Sequence, residues 1–144
     1  MKTIKLITVV AFALSLAITS FAQNPKSQFP FKTDSSGIIT DKSGTTFGTI
    51  SKDSIIKNHA GEKIAFIDRQ GNLVDNNGKI LGKAAKNGNY HNINGEVEYV
   101  VKPSKGNQCA VYNKSGKLVA YVHNNYKAQA GCLAHCMQKD MLMK

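Results

Sequence analysis

Carboxylates are scarce in this sequence, with 9 Asp and Glu against 19 Lys and Arg among 144 residues. Two of them, Asp41 and Asp75, fall at turn positions of the repeat described below, so a paired-carboxylate site of the glycosidase kind is hard to assemble. No Ser-His-Asp arrangement, phosphate-binding loop or H-E-x-x-H is present. The three cysteines, Cys109, Cys132 and Cys136, lack the second pair of a strong zinc signature and do not form the C-x-x-C-H of covalent haem attachment. No catalytic motif is visible, and the chain reads as a non-enzyme.

Beyond the first 22 residues there is no stop-transfer pattern. The chain opens MKTIKLITVVAFALSLAITSFAQN, with Lys2 and Lys5 ahead of an apolar run from Leu6 to Ile18 and small residues at Ser20 and Ala22. This is the pattern of a secretory signal peptide over 1–22, cleaved before Gln23. No cysteine stands at the cleavage point, which argues against a lipid anchor there. The expected location is secreted or periplasmic, where disulfides persist. The remainder is one modest domain with no integral membrane segment. A formal charge of +10 favours anionic partners through a salt-sensitive field, and the same charge serves solubility. Nucleic acid is not expected, since no recognition module is visible and export argues against it.

The main feature is a repeat of about 17 residues. Rows GIITDKSGTTFGTI (37–50), SIIKNHAGEKIAFI (54–67), GNLVDNNGKILGKA (71–84) and GNYHNINGEVEYVV (88–101) align. After a four-residue insertion within KPSKGNQ, CAVYNKSGKLVAYV (109–122) joins them. The third column is apolar: Ile39, Ile56, Leu73, Tyr90, Val111. The fifth is Asp or Asn, and the eighth is Gly. Asx bonds the backbone that follows, and Gly three residues on closes a type I hairpin with a bulge. Column twelve (Gly48, Ala65, Gly82, Tyr99, Ala120) is mostly small, as expected where strands crowd towards a common centre. Row four departs at Glu98 and Tyr99, where a bulge or register shift is expected.

The fold class is therefore mainly β, with five antiparallel hairpins over 37–122. A lone hairpin cannot bury its face, so the copies pack side by side. They form either a closed five-fold ring, which removes exposed edges, or an open solenoid with capped ends. The repeat region resembles the small secreted bacterial five-fold β-flower proteins, whose G-x-I/V-x-D-x-x-G-x-x-I-G unit is similar to rows one and three. Rows two, four and five depart from that unit. The resemblance implies a five-fold hairpin arrangement and brings no catalytic residues with it.

Residues 23–36 have a linker's composition, although Phe29 and Phe31, flanking Pro30, would point one way in an extended segment and could dock on the β-core. Residues 123–144 read as a helix from about Tyr126, capped by Asn124 or Asn125. Tyr126, Ala130, Leu133, Met137 and Met141 form a packing stripe that would close one end of the β-structure.

Two groups of residues could carry function. Cys132, His135 and Cys136, with His123 upstream, offer soft ligands for zinc or copper, against the alternative of a disulfide plus an exposed histidine. For that disulfide, Cys109 is expected to pair with Cys136 or Cys132, ahead of a strained Cys132–Cys136 bridge. A Cys/His nucleophile is poorly arranged, because neighbours on a helix point about 100° apart. The second group is the lysines beside the hairpin turns, Lys42, Lys63, Lys79, Lys114 and Lys117, a cationic belt suited to acidic glycan. The expected function is a structural or binding module for an anionic ligand or surface, with a metal-binding protein as the rival reading.

Overall fold

The computed structural model describes residues 28–143. The expected signal peptide (1–22), its cleavage point and residues 23–27 of the expected linker lie outside the described residues. Eleven strands run in chain order: β1 (Phe31–Thr33), β2 (Ile38–Thr40), β3 (Thr46–Ile50), β4 (Ile55–Asn58), β5 (Lys63–Ile67), β6 (Asn72–Asp75), β7 (Ile80–Ala84), β8 (Tyr90–Asn92), β9 (Val97–Pro103), β10 (Gln108–Asn113) and β11 (Leu118–His123). Consecutive strands pair antiparallel from β1 to β11, and β1 closes the barrel by pairing with β11 in parallel.

Turn chemistry sets these strands. The Oδ1 of Asp41 accepts the backbone N–H of Ser43 and Thr45, at 2.9 and 3.1 Å. Asn58, Asp75, Asn92 and Asn113 each take the N–H two and four residues on in the same way. One side chain thus satisfies two donors that the turn leaves unpaired. The four-residue connections between rows reuse the device at Asp34 and Asp68. Two of the five connecting turns therefore repeat the Asx device of the hairpin turns, a partial doubling that the 17-residue alignment hides.

Gly78 sits in its turn at φ 77°, with nothing within 4 Å of the place a Cβ would occupy. A side chain there meets no clash, so the cost of substitution is conformational alone. Gly78→Val is expected to lose about 1–2 kcal/mol, because β-branching is penalised at positive φ. Lys79→Val, on an exposed neighbour, should stay within about 0.5 kcal/mol. Thermal melts of the two variants check this, and equal shifts would contradict the turn assignment.

All five hairpins shift register just after the third column, at Ile39/Thr40, Ile56/Lys57, Leu73/Val74, Tyr90/His91 and Val111/Tyr112. The bulge expected of each Asx–Gly hairpin is thus present in all five, whereas row four, expected to depart at Glu98 and Tyr99, shows no further shift, β9 pairing with β10 in regular register. Third-column side chains point inward and are fully buried.

The expected linker supplies a strand. In β1, Phe31 is buried and meets Phe29 and Phe47 edge-on, at centroid distances of 4.9 and 5.6 Å. Its backbone fills the gap between β2 and β11 that a ring built only from the aligned rows would have to close directly. The expected ring of hairpins is accordingly an eleven-stranded barrel.

The C-terminal segment differs most from expectation. His123, rather than Asn124 or Asn125, caps it, its Nδ1 accepting the N–H of Asn125 at 3.1 Å. A 3-10 segment (Asn124–Gln129) broken at Tyr126 crosses the barrel mouth, and α1 (Ala130–Gln138) follows. Ala130, Gly131, Cys132, Leu133, Ala134, Cys136 and Met137 are all buried, so α1 hides more than one stripe. A helix covered nearly all round is a core element. It packs on β7 through β11, while the last 3-10 turn (Met141–Met143) packs on β3 and β4. The helix fills the barrel instead of closing one end. Small residues permit these contacts: a Cβ on Gly131 would strike the Gly88 carbonyl, and one on Gly48 would strike the Lys57 carbonyl of the next strand and press on Leu142 of the last 3-10 turn. Among the described residues no helix is long and apolar enough to cross a membrane.

Candidate functional site

Alternating strand direction divides the turns between two rims. The hairpin-turn rim carries the Asx–Gly turns beginning at Asp41, Asn58, Asp75, Asn92 and Asn113; the connecting-turn rim carries 34–37, 51–54, 68–71, 85–88 and 104–107. Lys42, Lys63, Lys79, Lys114 and Lys117 gather on the first rim, exposed to solvent. Carboxylates are interleaved with them. Asp41 and Asp75 hold the turns, Glu62 and Glu96 follow the turn glycines, and Glu96 Oε2 lies 3.4 Å from Lys114 Nζ. Burial pushes the Asp41 carboxyl up, but hydrogen bonds from Ser43, Gln28 and Thr45 together hold it below the usual range. It stays ionised beside Lys42. Much of the belt's positive field is cancelled locally.

The Cys/His cluster lies inside the barrel. His135 stacks on the Tyr90 ring, with centroids 4.6 Å apart and planes at 28°, and meets Tyr99 edge-on at 6.4 Å. Its Nδ1 is 3.8 Å from Glu98 Oε2. Burial lowers the His135 pKa and outweighs the opposing pull of Glu98, with Lys139 adding to the fall, so the ring is held neutral. Tyr99 Oη donates to Gln138 Oε1 at 2.8 Å, and Tyr90 Oη donates to the Leu81 carbonyl at 2.8 Å. Burial pushes the Cys132 thiol up to about 12 and raises Cys136 as well. Both thiols stay protonated at neutral pH, which disarms them as nucleophiles.

A family model described as a 5-fold beta-flower protein matches residues 23–137. The chain belongs to this beta-flower family. Nothing matches it among curated proteins or among solved structures. The matched span includes β1 and most of α1, so in this beta-flower protein the closing strand and the central helix fall within the family unit, beyond the 37–122 repeats that first suggested it.

Two expectations for the cluster are corrected. Among the described residues of this beta-flower protein, no group of three or more His, Cys, Asp or Glu side chains is placed to hold zinc, copper or another metal ion. His135 stacks on Tyr90 with its buried Nδ1 3.8 Å from Glu98, beyond hydrogen-bond distance, and the Nδ1 of His123 is engaged in capping at the barrel mouth. Cys109, Cys132 and Cys136 are free buried thiols, so the Cys109 bridge to Cys136 or Cys132 is not formed. Cys109 Sγ instead donates to the Val122 carbonyl on the neighbouring strand, at 3.3 Å.

The sequence reading overlooked another set of cations. Lys52, Arg69, Lys86 and Lys105 stand second in four connecting turns, all exposed. Lys52, Arg69 and Lys86 recur at the repeat's own spacing, a signal present in the rows but lying between the aligned blocks.

Proposed function

We propose that this beta-flower protein is a secreted or periplasmic binding module for an anionic ligand, acidic glycan in the first place. One observation carries the reading: α1 and its neighbours occupy the barrel interior, which confines recognition to the outside. There the charge is predominantly Lys: with Lys2 and Lys5 of the leader set aside, 19 − 2 = 17 Lys and Arg stand against 9 Asp and Glu. Turns are rigidly held by their Asx side chains, so cations riding on them, Lys42, Lys79, Lys114 and Lys117 included, are presented at fixed intervals. Many weak contacts at matched spacing add up to useful avidity. The secretory leader supplies the location, and the buried, protonated thiols argue for binding rather than catalysis.

Binding to an acidic and a neutral polysaccharide across a salt series tests the proposal. The acidic polymer is expected to bind at about 0.1 M salt, where the Debye length is about 10 Å, and to be released towards about 1 M, where it is about 3 Å. The neutral polymer should not bind. Equal, salt-insensitive affinity for both would refute an electrostatic module.

A further inference from the structure

Both rims interleave cations with carboxylates, Asp34, Asp53 and Asp68 on the connecting-turn rim, but that rim holds two adjoining clefts lined by cations and amides, and we infer that it is the docking face, where an acidic oligosaccharide lies across both. This deepens the anion-binding reading and rests on it. The first cleft, about 300 Å³, is lined by Lys52, Asn125, Tyr126 and Gln129. The second, about 390 Å³, is lined chiefly by Lys32, Lys105, Asn107, Gln108 and His123, with Asp34. Both lie at the low end of the range of small-molecule sites, roughly 300–1,000 Å³.

Their linings fit sugar acids. Amide side chains both donate and accept, which matches hydroxyl groups, while an ammonium beside them matches a carboxylate. No carboxylate lines the first cleft. In the second, Asp34 Oδ1 is engaged by the N–H groups of Ser36 and Ile38, each at 2.9 Å. The clefts are joined through one residue: Asn125 lines the first, its Nδ2 reaches the Ser35 carbonyl in the second at 3.4 Å, and its N–H is held by His123. A chain crossing that bridge can set one acidic unit against Lys52 and another against Lys32 and Lys105.

The opposite rim is less suitable. The cleft there, lined by Ile64, Asp75, Asn76, Asn77 and Met141, holds a carboxylate and no cation, and the Gln28 backbone is bonded to Asp41 and Lys42 beside it.

The test uses oligouronates of two, four and six units with the full mature chain. Tetramer and hexamer should bind clearly more tightly than the dimer, because only they span both clefts. Lys52→Gln with Lys105→Gln is expected to weaken tetramer binding about tenfold, at about threefold for each exposed ion contact. Lys79→Gln with Lys114→Gln should change it less than about twofold. In NMR spectra the side-chain amides of Asn125, Gln129, Asn107 and Gln108 should shift on titration. Loss of affinity on changing Lys79 and Lys114, with Lys52 and Lys105 indifferent, would overturn the placement and leave the anion-binding reading standing. Equal binding of a neutral oligosaccharide would overturn both.

Discussion

Ending the chain at His123 is expected to abolish folding, even though every strand of the barrel would remain. The cut removes Tyr126, Leu133, Met137 and Leu142, all at 5% exposure or less, from the space enclosed by the sheet. Each such side chain contributes about 1.5–3 kcal/mol by burial. Together they rival the whole stability of a small domain, about 5–15 kcal/mol. The inward columns would also lose their contacts, leaving an apolar cavity with nothing to fill it. Circular dichroism and size-exclusion chromatography of the truncated chain check this, and a monomeric, cooperatively melting product would show that the helix is an accessory. Gly131→Ala gives a milder test in the full chain. The added methyl would strike the Gly88 carbonyl and the Tyr90 backbone, so helix propensity and packing pull in opposite directions. Packing is expected to win, with a loss of about 1–3 kcal/mol.

That the helix lies within the barrel was not legible in the sequence, for a physical reason. A nine-residue segment with a recognisable apolar stripe looks like any surface helix, since a stripe marks one buried face and is silent about the others. The other faces carry small buried residues, Gly131, Cys132, Ala134 and Cys136, and two polar ones with neighbours in row four, His135 beside Glu98 and Gln138 bonded to Tyr99. Those partners, Glu98 and Tyr99, were visible as the departures of row four. They read as a distortion of the strand because nothing in the row itself says that a helix passes beside it.

The hairpins were legible because their cause is local. Asx and Gly at fixed spacing dictate a turn wherever they stand, and the apolar columns then dictate which way the strands face. Barrel closure depends on β1, a three-residue strand whose pairing to β11 joins Phe31 to Ala120 across most of the chain, and no local pattern encodes such a contact. The rims fall between these cases. The lysines beside the hairpin turns stood out within the aligned blocks, whereas Lys52, Arg69, Lys86 and Lys105 sit in the connections that the alignment set aside.

Alkaline conditions are expected to destabilise this protein severely, and the three cysteines set the window. Burial raises the pKa of Cys109, Cys132 and Cys136 in the folded state, Cys132 to about 12, from an ordinary value of 9.0. Below pH 9 both folded and unfolded chains keep these protons, and the burial contributes its full stability. Above it the unfolded chain releases protons that the folded chain retains, so stability falls as pH rises towards the folded values. Each thiol contributes at most about 1.4 kcal/mol per pH unit. With Cys132 and Cys136 both acting the slope approaches about 3 kcal/mol per unit, and Cys109 adds to it in the same direction, enough to remove the stability of an ordinary domain within about two to three units. Tyr99, its pKa pushed up to about 12 by burial first and by Glu98 next, steepens the loss above pH 10. Urea titrations under reducing conditions from pH 7.5 to pH 10.5 would measure the slope. Cys132→Ala and Cys136→Ala should each flatten it, by up to about 1.4 kcal/mol per pH unit, at the cost of a lower plateau near neutrality. The native protein should react slowly with a thiol reagent at pH 8 and release three thiols once unfolded. A stability curve that stays level to pH 10.5 would mean that the thiols are solvated or bridged, and that the helix carrying two of them does not occupy the barrel.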